Sequence, residues 1–492
     1  MFESAELGHT VDEKTYDAEV PKLRAALLDA QRELVKKKGF PLVLVVAGFE
    51  GAGKGETVHV LSEWMDPRNL RTHAMGPPDC REIARPPMWR FWQALPGKGE
   101  LGVFFGGWYS RPITDRVYGR MKRAALDRTV DEIIHFERLL TDEGAVVLKV
   151  WLHLTRKDQK KRLTALAKDP ATRWRVKPAD WKHHERYTDF REVSEDVLMR
   201  TSTRDAPWVA VEGLDTRYRN VTVGRVVLEA MRRRLDERKH TAHVHAAPLV
   251  ASVDNRELLR SIDLTQKITK KKKYDEELAE HQARLNALSR RLGKAKRALM
   301  LAFEGPDASG KGGAIRRIAY ALDPRSYRII PVAAPTEDER AHPYLWRFWR
   351  DVPAHGEISV YDRSWYGRVL VERVEGLASE ADWMRAYSEI NEFELELHEH
   401  GIVVVKVWMA ISAAEQLRRF KAREREDWKR FKITPDDWRN RKQWDAYEQA
   451  ASDMIDRTST ETAPWTRVAA EDKYFARITV MRTIIARLEA AL

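Results

Sequence analysis

Four apolar runs stand out along a chain otherwise dense in charge: Leu42–Ala47, Ala145–Leu152, Ala298–Phe303 and Ile402–Met409. Runs of this length suit central strands of a parallel sheet, buried on both faces. Charged stretches with helical periodicity, Val20–Lys37 and Glu276–Lys296, precede the first and the third run. A glycine-rich segment and a further helical pattern follow each of those two runs. Strand and helix in alternation predict a doubly wound α/β sandwich.

The pattern occurs twice, and so do the residues. Gly53-Lys54-Gly55 matches Gly310-Lys311-Gly312, and Trp89-Arg90-Phe91-Trp92 matches Trp346-Arg347-Phe348-Trp349. Lys149-Val150-Trp151 matches Lys406-Val407-Trp408, and Ala206-Pro207-Trp208 matches Ala463-Pro464-Trp465. Every pair keeps the separation of 257 residues that divides Lys54 from Lys311. A constant register of this kind marks a duplication of one domain. The 492 residues fit two domains of about 200–250. His240–Val253 lacks helical charge patterning and contains Pro248, so it reads as the linker. The expected division is an N-terminal domain over 1–239, a linker over 240–262 and a C-terminal domain over 263–492.

Hydrophobic residues make up 43% of the chain, enough for two cores. The net charge of +12 favours a polyanionic partner. Cys80 is the one cysteine, which rules out an intramolecular disulfide or a cysteine zinc site and suits a reducing compartment. No apolar run approaches the roughly 20 residues of a membrane span. Met1–Lys14 is acidic and lacks the apolar centre of a signal peptide. The expectation is a cytoplasmic protein with no membrane partner.

The chemistry gathers in the second copy. Gly305-Pro306-Asp307-Ala308-Ser309-Gly310-Lys311 has the spacing of a Walker A loop and lies between a predicted strand and a predicted helix. Glycines let successive backbone N–H groups curl around phosphate oxygens, the helix N-terminus favours the anion, and Lys311 adds a full charge. Gly305, Ser309, Gly310, Lys311, Gly312 and Gly313 are therefore expected to bind phosphate. The residue after the lysine is Gly312, so the hydroxyl that usually helps hold Mg²⁺ is absent. Mg²⁺ takes one or two carboxylates along with phosphate oxygens. Asp307, within the loop, is one candidate. Asp362, closing the apolar run Ile358-Ser359-Val360-Tyr361, is the second, in the Walker B arrangement. Arg363 follows it. A basic stretch with interspersed aromatics, including Arg419, Arg423, Lys429 and Lys432, offers a lid that neutralises charge during phosphoryl transfer.

These residues together resemble the polyphosphate kinase 2 family. The loop Gly305-x-Asp307-x-x-Gly310-Lys311-Gly312 is similar to its Walker A. Tyr361-Asp362-Arg363-Ser364-Trp365-Tyr366-Gly367-Arg368 is similar to its Walker B, although the family often has Asn where Gly367 stands. Glu415-Gln416-Leu417-Arg418-Arg419-Phe420 and Trp428-Lys429-Arg430-Phe431-Lys432 are similar to its lid. The resemblance spans nearly all of 274–490 and, more weakly, 16–235. It implies two tandem P-loop kinase-like domains, each a three-layer α/β/α sandwich with a mainly parallel sheet and a helical lid. It implies phosphoryl transfer between inorganic polyphosphate and a nucleotide, with Mg²⁺ at Asp307 and Asp362. The fused form resembles the subclass making ADP from AMP. Catalytic roles fall to Asp307, Lys311, Asp362, Arg363, Arg419 and Arg423, with phosphate contacts added by Arg368, Lys429 and Lys432. No nucleic-acid partner is implied, and a homo-oligomer is suggested.

The first copy lacks much of this. Lys54 stands opposite Lys311 and Glu50 opposite Asp307, but Phe105 replaces Asp362, Gly106 replaces Arg363, Leu166 replaces Arg423 and Thr172 replaces Lys429. The N-terminal copy is expected to be structural, or to hold polyanion without turnover. Two rival readings remain: an ATP-dependent nucleotide kinase of the thymidylate kinase type, and a non-catalytic polyanion-binding protein.

Overall fold

The computed structural model describes residues 1–237, 255–426, 433 and 435–492. Among them each copy contributes one five-stranded sheet. The first sheet holds β1 (Leu42–Gly48), β2 (Leu70–Ala74), β3 (Leu101–Phe105), β4 (Val146–His153) and β5 (Trp208–Glu212), in the order β2-β3-β1-β4-β5. The second holds β6 (Ala298–Glu304), β7 (Tyr327–Pro331), β8 (Ile358–Asp362), β9 (Ile402–Ala410) and β10 (Trp465–Ala469), in the same relative order. Every pairing is parallel. Helices connect the strands, so the expected α/β architecture is observed. The first strand of each copy lies mid-sheet, with crossovers running to both sides of it. Loops at its carboxyl end therefore open into a crevice, where α/β folds bind ligands.

The four apolar runs become β1, β4, β6 and β9, shifted by a residue or less at each end. The first helix is longer than the periodicity indicates, Glu13–Lys37, because Asp12 caps it by accepting from the Thr15 amide, and Pro21 is accommodated inside. Its counterpart runs over Lys271–Ser289 and ends before Gly293. Most of the expected linker lies outside the described residues. Its end, 255–262, forms a helical turn at Glu257–Arg260, with Arg260 paired to Glu448 at 2.8 Å.

The chain forms two compact units, each built mainly on one copy. The unit of the first copy includes Pro335–Trp346, and the unit of the second includes Asp79–Trp89. Each core holds the same buried polar cluster. In the second copy Lys406 Nζ donates to Glu394 (2.7 Å), the Tyr366 hydroxyl (2.9 Å) and the Thr458 carbonyl (2.6 Å), while Trp365 and Tyr366 donate to the other Glu394 oxygen. In the first copy Lys149, Glu137, Tyr109, Trp108 and Thr201 repeat it bond for bond. A buried charge pair of this kind is tolerated because nearly every polar atom in it has a partner. Phe348 and Trp349 are likewise core residues, packed edge-on against Trp365 and Phe393.

Candidate active site

β6 ends at Glu304 and the chain turns sharply at Gly305, whose φ is +139°. A Cβ there would come within 2.5 Å of the Met409 carbonyl, so the close approach to β9 requires glycine. Ala308 and Gly310 are also left-handed, and the helix Lys311–Ala321 starts at once. Lys311 Nζ donates to the carbonyls of Gly305 (2.7 Å) and Pro306 (3.2 Å), curled back over its own loop. The Ser309 side chain is buried, and its hydroxyl makes no hydrogen bond among the described residues. A buried, unpartnered hydroxyl in a ring of backbone amides suits an anion.

Two cavities flank the loop. The first, of about 430 Å³, is lined by the loop from Asp307 to Gly313 and by Asp362, Arg363, Arg423 and Asp437. It brings together most of the residues expected from sequence. Gly312 packs near Asp362: a Cβ on it would lie 3.8 Å from Asp362 Oδ2. Burial disfavours the charged form of Asp307, but the charges of Lys311 and Arg363 outweigh it and hold the carboxyl below its usual range. Arg363 Nη2 reaches Asp307 Oδ1 at 2.8 Å, and Asn440 donates to Oδ2 at 2.9 Å. Among the described residues no group of three His, Cys, Asp or Glu side chains is arranged to hold a metal. Two carboxylates beside a phosphate cradle fit Mg²⁺, which completes its shell with phosphate oxygens and water.

The second cavity, of about 550 Å³, adjoins the other side of the loop and is strongly cationic. Arg316, Arg317, Arg418, Arg423, Lys473 and Arg477 line it, against Glu426. Sequence reasoning passed over Arg316, Arg317, Lys473 and Arg477, which come from two helices and share no motif.

Two sequence expectations are revised. Arg419 borders the basic cavity, but its guanidinium is already engaged by the loop. Its guanidinium donates to the carbonyls of Ala308, Ser309, Ala470 and Glu471 and to Glu415, so every N–H has an acceptor. It braces the loop. Arg368 lines neither cavity and pairs with Glu372 at 2.8 Å on the short helix after β8. Lys429 and Lys432 lie outside the described residues.

Two further residues were missed. Asn440 comes from the helix Pro435–Lys442, far from the loop in sequence. Glu304 is buried beneath the loop and accepts a hydrogen bond from the Ser364 hydroxyl at 2.8 Å. Burial pushes its carboxyl pKa up. A carboxylate closing an apolar strand was the available signal for it.

The first copy keeps the loop but fills it. Lys54 donates to Glu50 at 3.1 Å as well as to the Gly48 and Phe49 carbonyls, with the Phe105 ring 6.0 Å away. Arg219, wholly buried, donates to the carbonyls of Ala52 and Gly213, taking over the bracing that Arg419 performs in the second copy. A Cβ on Gly53 would lie 1.9 Å from the Arg219 guanidinium. Glu56 sits beside it, held by Arg219 (2.8 Å) and Arg162 (2.7 Å). The matching positions in the second copy are Ala476 and Gly313, which carry no charge and line the basic cavity. Of the six cations named in the basic cavity, the first copy keeps only Lys161. His59, Val60, Leu166, Thr216 and Asn220 stand at the other five.

Comparison with known proteins identifies the family. The profile of the polyphosphate kinase 2 family matches residues 10–239 and 268–492. A polyphosphate:AMP phosphotransferase of Pseudomonas aeruginosa is 54% identical, covering 100% of this chain and 99% of that protein. One from Pseudomonas syringae pv. tomato is 51% identical over the same shares. A crystal structure of a Pseudomonas aeruginosa protein assigned to polyphosphate kinase 2 has a TM-score of 0.90 at 52% identity, covering 100% of this chain and 99% of the other.

Proposed function

The chain belongs to the polyphosphate kinase 2 family, and from that premise we propose that it transfers a phosphoryl group from inorganic polyphosphate to AMP, giving ADP. The observation that carries this reading is the pair of cavities sharing one P-loop. A carboxylate-bearing pocket adjoins a tract of six cationic side chains besides the loop-bracing Arg419. Such a tract suits a donor longer than a nucleoside triphosphate, since each added phosphate finds a further cation. The full-length relatives named polyphosphate:AMP phosphotransferase supply the acceptor.

In this reading the donor chain lies along the basic cavity with its terminal phosphate over Lys311 and the loop amides. AMP enters the carboxylate pocket. An oxygen of its phosphate forms the new P–O bond while the bond to the next phosphate of the chain breaks, leaving polyphosphate one unit shorter. That oxygen is already ionised near neutral pH, so no strong general base is needed. Lys311, Arg363 and Arg423 stabilise the charge spread over the moving group. Mg²⁺, held by Asp307 and Asp362, would neutralise phosphate charge when bound. Arg419 keeps the loop in shape. The N-terminal copy, with Glu56 and Arg219 inside its loop, is a structural partner without turnover. The exposed, unpaired Cys80 suits the cytoplasmic placement expected from the sequence. Among the described residues no helix is long and apolar enough to cross a membrane.

The test is donor choice. Purified protein with AMP and Mg²⁺ receives polyphosphate or ATP in separate reactions. ADP formed from polyphosphate supports the reading. ADP formed with ATP alone would assign the site to a nucleotide kinase, and none with either donor would leave a polyanion-binding protein.

A further inference from the structure

Arg363 has φ +66°, a left-handed conformation that strains any residue with a Cβ. The matching residue in the first copy is Gly106, at φ +77°. Both turns begin with a left-handed residue but part at the next, where Gly107 has φ +51° and Ser364 is extended at φ −152°, and only the second copy puts a side chain on the left-handed position. Something in the second copy must hold that turn against the strain.

Two residues differ there in concert. Next to Arg363, Ser364 replaces Gly107, and at the end of the neighbouring strand Glu304 replaces Ala47. Ser364 and Glu304 are both buried, and the Ser364 hydroxyl donates to Glu304 Oε1 at 2.8 Å. The Arg363 amide also donates to the Phe303 carbonyl at 3.1 Å, so the turn is tied to β6 at two successive residues. The first copy keeps the corresponding backbone bond, from Gly106 to Val46, at 2.8 Å, but it has no side-chain latch and no arginine to aim.

We infer that Glu304 and Ser364 are positioning residues: their hydrogen bond locks the strained turn after β8 and so fixes the Arg363 guanidinium at the rim of the phosphate pocket, beside Asp307. The pairing is absent where the arginine is absent, which is what a device serving Arg363 requires. The inference rests on the proposed reading of the C-terminal site, in which Arg363 faces the transferred phosphate.

The test is a double-mutant cycle on the full chain, reading ADP formation from polyphosphate and AMP. Arg363→Ala is expected to lower kcat. Ser364→Ala is expected to lower kcat by about tenfold with KM for both substrates within about twofold, because misplacement of a charge-stabilising group acts in the transition state. In the Arg363→Ala background, Ser364→Ala should cost nothing further. Glu304→Leu, which removes the acceptor, should follow the same pattern. Glu304→Gln, which keeps an oxygen there, should stay within about twofold of wild type. A kcat loss from Ser364→Ala or Glu304→Leu that is equal with and without Arg363 would overturn the latch, as would an unchanged kcat. If either variant does not fold, the other carries the cycle. If Arg363→Ala itself has no effect, the reading of the site fails instead.

Discussion

Arg219 and Glu56 meet at 2.8 Å inside the N-terminal loop, where the C-terminal copy has Ala476 and Gly313. The pair brings its own anion and its own cation to positions that carry no charge in the other copy. The two loop lysines should therefore differ sharply. Lys311→Ala should lower ADP formation by about 10²-fold or more, whereas Lys54→Ala should leave it within about twofold. Steady-state assays of the two full-length variants decide this.

Glycines of the C-terminal loop should separate into obligatory and replaceable ones. Gly305→Ala adds a Cβ at φ +139° and 2.5 Å from the Met409 carbonyl, and should destabilise the domain by about 2–4 kcal/mol. Gly312→Ala meets nothing closer than 3.8 Å and should stay within about 1 kcal/mol of wild type. Denaturant unfolding of both variants measures the difference.

The buried lysine of each core should matter to folding and not to chemistry. Removing one partner strands the other charge in a dry interior. Lys406→Met and Lys149→Met should each cost about 3–5 kcal/mol. Because the clusters match bond for bond, the two losses should be similar, and folded Lys149→Met protein should keep its kcat.

His400 should make stability pH-dependent. Burial, together with the His355 ring stacked at 4.8 Å, pushes its pKa down to about 4. The unfolded chain binds this proton near pH 6.5 and the folded chain only near 4. Stability from this residue is intact above pH 6.5 and falls as pH drops from 6.5 towards 4. Unfolding midpoints of His400→Leu measured across that window should show a flatter profile than wild type.

Much of the site was legible because its chemistry is written in contiguous letters. The loop Gly305–Gly313 and the strand end at Asp362 need local order alone, and the duplication exposed Phe105 and Gly106 as losses. What escaped depends on tertiary approach. Asn440 reaches Asp307 from a helix beyond β9. Arg419 looked like a charge neutraliser because a sequence does not reveal that backbone carbonyls would take every one of its N–H groups. Arg316, Arg317, Lys473 and Arg477 form a tract only once two helices lie side by side.

Lys311 already holds two carbonyl oxygens of its own loop, so a phosphate arriving there substitutes one set of acceptors for another. The net gain is the difference between bonds to a charged acceptor and bonds to neutral carbonyls, and not the full strength of the new ones. A lone phosphate gains only that difference at the lysine. A long chain tips the exchange by engaging the neighbouring cations at the same time, each contact raising the local concentration for the next. A preference for longer chains would then need no ruler in the protein: it would follow from a lysine that is never left without acceptors.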